Sequence, residues 1–248
     1  MIGRCPAKGR GPEPARLPAI DVARGVALFG MAVFHIAWDL SAFGVIAAAV
    51  ASDPAWLMLA RMVAGSFLLL SGVSLSLATR DGLRMGAYLA RVGRIAAAAA
   101  LVSLASWWFE PGGVIIFGIL HCLALAGLLA LPLLRAPDWV LALLAGLMLL
   151  GGGVLRDAAF NARVWLFLGL ATKVAPSADY IPLFPWFGIV LLGMLAGRWL
   201  LRDAGGRLWR WQASRAPGPA LAWAGRHSLA IYLLHQPILI GLLMALIG

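Results

Sequence analysis

Charge is scarce in this chain. Only 12% of its 248 residues are Asp, Glu, Lys or Arg, against 62% hydrophobic. A soluble domain of this length cannot hide so much apolar surface, so the composition points to a membrane protein of several spans. Acidic residues are the scarcer sign, and the net charge is +10. Such an excess invites a nucleic-acid partner. Here, however, the basic residues sit in short clusters between apolar runs, as topology signals do, so no nucleic acid is expected. Lysine is nearly absent, with Lys8 and Lys173 its two positions. Cysteine is almost absent too. Cys5 lies in a polar N-terminal tail and Cys122 in an apolar run, so no disulfide is expected and Cys122 reads as core packing. No P-loop, HExxH motif or closely spaced ligand cluster occurs, so no metal is expected.

What is present is a series of apolar runs. Residues 1–18 form a Pro/Gly/Arg-rich tail, and residues 19–248 a single membrane domain. The expected fold is an all-α polytopic bundle of about seven spans, at 19–45, 55–79, 88–109, 114–134, 139–155, 183–201 and 220–247. Basic residues before a long run, with Ala49-Val50-Ala51 after it, resemble a signal peptide. The run is too long for one and holds four ionisable residues, so it is read as a retained span. Residues 156–181 are mixed, and the apolar piece 164–172 is too short to cross the bilayer, which predicts an extramembrane or re-entrant segment. The arginine clusters at 80–94 and 198–226 fall on the same side as the tail, which predicts a cytoplasmic N-terminus and a multi-pass inner (plasma) membrane protein.

The first span, Asp21 to Asp39, carries Asp21, Arg24, His35 and Asp39. At about 100° per residue all four fall within a stripe roughly 60° wide, and His35 stands roughly 16 Å along the axis from Arg24. Ionisable groups at membrane depth are expensive and mark functional sites. Asp21 also has the position of a helix cap. By depth, His35, Asp39, Arg61, His121, Asp179 and Trp186 gather toward the outer side, where Arg61 is placed to meet Asp39. Arg24, Arg91, Arg94 and Arg226 gather at the inner side. Ser228, Tyr232 and His235 follow one face of the last span, where Pro237 suggests a distortion. Ser71, Ser74 and Ser76 suggest close helix packing.

These residues carry a resemblance. Ile20-Asp21-x-x-Arg24-Gly25-x-Ala27 with Phe34-His35-x-x-x-Asp39-Leu40 resembles the first span of bacterial members of the heparan-α-glucosaminide N-acetyltransferase catalytic-domain family. Further similar stretches follow in order: Phe67–Ser74, Phe117–His121, Asp179–Gly188 and Ser228–Pro237. The Arg24…His35 spacing is also similar to the first span of the acyltransferase 3 family. The animal lysosomal enzyme differs, having asparagine at the position of His35 and its catalytic histidine further along, so its heparan substrate is not carried over.

The resemblance implies a membrane enzyme that takes acetyl from cytoplasmic acetyl-CoA, as co-substrate, to an acceptor across the membrane. Chemistry of the residues agrees. A histidine suits acyl transfer as a base near neutral pH. His35 is the expected base, oriented by Asp39 and assisted by His121. Arg24, Arg226, Arg91 and Arg94 suit CoA phosphates, and Asp179, Trp186, Arg61 and His235 are expected on the acceptor. The expected partners are membrane lipids, acetyl-CoA and a glycan or small-molecule acceptor, with homodimerisation left open. The alternative is a small-solute or proton-coupled transporter or flippase, disfavoured by the lack of an evident internal repeat.

Overall fold

Proline and aspartate punctuate the helix starts. The computed structural model describes residues 17–109, 111–174, 177, 179–203 and 206–247. The tail over residues 1–16 with Cys5, and the Glu110 position of the expected turn, lie outside the described residues. Helix α1 spans Pro18–Ala42, with proline in its first turn. Asp21 does not cap it. The N-cap is Leu17, and Asp21 pairs instead with Arg24 at 3.3 Å. Helix α2, Pro54–Ala78, is capped by Asp53, whose carboxylate accepts from the Ala55 and Trp56 amides.

Helix α3 covers Met85–Phe109 and ends in the exposed pair Trp107-Trp108, as an interfacial anchor requires. Helix α4 is short, Ile119–Ala130, and passes into a 3₁₀ turn at Pro132–Arg135. Then come α5, Asp138–Val154, α6, Leu183–Arg202, and a single turn α7, Arg207–Arg210. The chain closes with α8, Gly218–Arg226, and α9, Ser228–Ile247. Among the described residues five helices, α1, α2, α3, α6 and α9, are long and apolar enough to cross a membrane. At 12 and 17 residues, α4 and α5 reach about 18 Å and 26 Å.

Two glycine seams bring backbones together. Helices α2 and α6 run parallel, with Gly72 against Val190 and Gly193 against Leu69. A Cβ at either glycine would overlap the facing backbone. Ser76 adds a hydrogen bond from its hydroxyl to the Met194 carbonyl at 2.9 Å. The second seam changes the expected last span. Gly25 of α1 meets Leu221, and Gly225 meets Asp21. Thus α8 runs in the opposite direction along the start of α1. The chain turns at His227, and α9 then follows α1 toward Asp39. Residues 220–247 are therefore two helices rather than one.

The core lies where α2, α4, α5 and α6 meet, around Leu68, Cys122, Leu141, Leu191 and Met194, all fully buried. Arg198 of α6 pins the α4–α5 turn through the Leu133, Leu134 and Ala136 carbonyls and the Asp138 carboxylate, which also binds Arg202. The outer surface is apolar. Leu150, Val154 and Leu246 are each at least 75% exposed, a surface suited to lipid rather than water. Between α5 and α6, the described residues of 155–182 form two 3₁₀ turns and one bridge between Asp157 and Ala171, tied together by the Asn161 side chain and the Tyr180 hydroxyl.

Candidate functional site

Arginines from three helices converge at one end of the bundle. Arg24 comes from α1, Arg91 and Arg94 from successive turns of α3, and Arg226 from the end of α8. Together they line a cavity of about 350 Å³. Arg94 and Arg226 are exposed, whereas Arg24 and Arg91 are half-buried. Arg24 is held by Asp21 and by the Ser74 hydroxyl of α2. Ser71 and Ser228 add hydroxyls, and Ile95, Ile119, Leu120, Leu123 and Leu229 make an apolar wall. Among the described residues no carboxylate lines it. The first turn of α9 opens into the same space, where helix geometry adds backbone donors for an anion. All four arginines singled out in the sequence are thus brought together. Of the three serines expected only to pack, Ser74 ties α2 to Arg24 of α1, Ser71 faces the cavity and Ser76 ties α2 to α6.

Tyr232 also lines the cavity, on the face of the last span that the sequence predicts but to which it assigns no role. Its hydroxyl faces the carboxyl of Asp179, which reaches in from the segment between α5 and α6 and accepts the Ile119 amide at 2.8 Å. Burial pushes the Asp179 carboxyl up to about 6, against the pull of that amide. Trp186 packs in the same cluster, with Ile119, Leu120 and Tyr232.

One turn beyond Tyr232, His235 meets His35. Their rings stand edge-on with centroids 4.9 Å apart, and the Tyr232 ring is 5.6 Å from His235. Asp39, only 5% exposed, accepts both its hydrogen bonds from the Gln236 amide, at 2.8 and 3.1 Å. The stripe on α1 therefore faces α8 and α9, with Arg24 turned toward α2.

Three expectations are corrected. Arg61 is exposed, and its place beside Asp39 is taken by Gln236. Depth along a helix fixes height but not the direction a side chain points. His121 does not join His35. It sits at the start of α4, where its Nδ1 accepts the Gly118 amide at 3.2 Å. A neutral ring must then carry its proton on Nε2, which lies 3.1 Å from the Ser103 hydroxyl, itself donating to the Ile115 carbonyl. Both nitrogens are occupied, Nδ1 at the N-cap of α4 and Nε2 in holding α4 to α3. Finally, the outer-side residues do not share one cavity. They form two groups, His35/Asp39/His235/Gln236 between α1 and α9, and Asp179/Trp186 beside α4, with Tyr232 touching both.

The chain is thus an apolar helix bundle of the membrane-protein class, with an arginine-lined cavity at one end and a histidine pair between α1 and α9. The family model described as heparan-alpha-glucosaminide N-acetyltransferase, catalytic, matches residues 16–237. The chain belongs to that family, one of membrane acetyltransferases. No curated protein and no solved structure matches it.

Proposed function

We propose that this chain moves an acetyl group from cytoplasmic acetyl-CoA to an amine or hydroxyl of a sugar or other acceptor on the outer side of the inner membrane. One observation carries this: four guanidiniums surround a single cavity, and among the described residues Arg24 alone of the four has an ion-pair partner, Asp21. Cations in such excess in partly desolvated surroundings call for an anion, and guanidinium geometry suits phosphate oxygens. The volume lies within the usual range of ligand pockets, and the apolar wall formed by Ile95, Ile119, Leu120 and Leu123 suits an uncharged pantetheine arm. When bound, acetyl-CoA supplies an acetyl group already activated as a thioester.

The chain's own residues do the rest. Arg24, Arg91, Arg94 and Arg226 bind the phosphates. Tyr232 marks the inner end of the cavity, on the way to the histidines. His35 takes the proton from the acceptor. Asp39, one turn along α1, supplies the negative charge that a protonated His35 needs, and Asp179 and Trp186 shape the approach of the acceptor. His121 supports this arrangement from the start of α4.

Labelled acetyl-CoA tests this. Purified protein should bind it and turn it over, and mass spectrometry of membrane and periplasmic fractions should show an acetylated product. His35→Ala should bind but not turn over. Proton-coupled solute uptake into liposomes without CoA, together with no acetyl transfer, is the result that overturns the proposal.

A further inference from the structure

His235 has its proton placed by its own helix. Its Nδ1 lies 2.6 Å from the Tyr232 carbonyl oxygen. A carbonyl only accepts, so in a neutral ring the hydrogen sits on Nδ1. Nε2 then carries a lone pair and no hydrogen. That atom is buried and has no hydrogen-bond partner among the described residues. Next to it, Gln236 Oε1 is also buried and unpartnered. Pro237 lacks an amide hydrogen, so the Leu233 carbonyl loses its helical donor. This turn of α9 therefore holds a surplus of acceptors in a place where an unmet acceptor is costly.

What faces those acceptors is the stripe on α1. The His35 ring stands 4.9 Å from the His235 ring, centroid to centroid. If a nitrogen of each ring is turned onto the line between the centroids, the two come within hydrogen-bond reach. Asp39, the carboxylate beside the pair, accepts through both oxygens from the Gln236 amide. It therefore competes little for a proton on either ring.

We propose that His235 is a positioning residue for the proton of acyl transfer, and that its Nε2 receives the proton that passes through His35. This rests on the acetyl transfer assigned above. As the acceptor's nitrogen or oxygen bonds to the acetyl carbon, the carbon–sulfur bond breaks and sulfur leaves with the electron pair. The acceptor's proton goes to one His35 nitrogen, and the hydrogen on the other passes to His235 Nε2. His235 is then an imidazolium, still donating from Nδ1 to the Tyr232 carbonyl. The leaving thiolate is protonated in turn, by way of His35 or water, and both rings return to neutral.

Two measurements test it. Nitrogen-15 spectra of histidine-labelled full-length protein in nanodiscs, assigned by loss of a signal in His235→Gln, should show neutral His235 with its hydrogen on Nδ1. A neutral ring with hydrogen on Nε2 overturns the proposal whatever the activity. In kinetics, His235→Gln should lower kcat about 10- to 100-fold and leave KM for acetyl-CoA within about twofold, and added imidazole should partly restore His235→Ala. Wild-type kcat in His235→Gln, or loss in His235→Ala that imidazole does not restore, overturns it. If the wild type shows no acetyl transfer at all, the acyltransferase proposal fails, and the spectra alone decide the state of His235.

Discussion

The two ends of α1 solve opposite problems. At its start, Arg24 joins three further arginines around a cavity, with Asp21 the acid that pairs with it. At its far end, Asp39 and His35 are packed against His235 and Gln236, and among the described residues no cation pairs with Asp39. The first end has positive charge to spare and space for a ligand. The second has hydrogen-bond acceptors to spare and is closed by direct side-chain packing. An anion satisfies the first, and a donor of protons satisfies the second. In the proposed reaction one helix thus separates the recognition of a charged group from the handling of a proton by about 16 Å. The comparison also explains why the pair needs no ion bridge: buried charge is expensive unless fully paired, and a neutral amide holds Asp39 at lower cost.

Changing either end should break this contrast in a different way. The largest effect belongs to His35→Ala, which should lower acetyl turnover about 10²- to 10⁴-fold while leaving acetyl-CoA binding intact in equilibrium measurements. Loss of binding with it would merge the two ends into one site. Next comes Arg24→Ala, which should weaken CoA binding by about 1.5–3 kcal/mol, the cost of a charge-assisted hydrogen bond, seen in KM more than in kcat. Raising the ionic strength should weaken wild-type binding in the same sense, because the exposed arginines are screened.

Gly225→Val tests the seam that holds both ends in register. Its side chain would run into the Asp21 carbonyl, and the variant should lose about 1–3 kcal/mol of stability, measured by thermal unfolding in detergent. Unchanged unfolding would mean that α8 does not lie against α1. The smallest effect is expected from Arg61→Ala. This exposed residue makes no ion pair with Asp39, so turnover should stay within about twofold of wild type, in line with exposed charges generally.

Some of the site was open to inspection in the linear chain. Arg24, Arg91, Arg94 and Arg226 all fall near helix ends on one side, so a count of charges along the spans groups them correctly. His35 and Asp39 share a stripe because the helical repeat is local. The partners were hidden. Gln236 reads as one polar residue beside a proline, and Ser74 as one small residue among several. Asp39 and Gln236 stand 197 positions apart, and nothing in the chain between them signals that they bond. His121 misled for the same reason: its depth matched that of His35, but its ring faces α3.

The amino-acid sequence by itself determined the all-helical membrane bundle, the family, the end at which cations gather and the face of α1 on which Asp21, Arg24, His35 and Asp39 lie. These follow from hydropathy, helical periodicity and the cost of charge in hydrocarbon, all of which act within a few turns of chain. Only the tertiary structure decided that the last span breaks at His227, that Tyr232 joins the cavity to the histidines, and that His235 and Gln236 rather than Arg61 meet the α1 stripe. Those outcomes depend on how helices rotate about their own axes when glycine seams such as Gly25–Leu221 and Gly225–Asp21 lock. That rotation is set by packing between segments far apart in the chain, which no local pattern encodes.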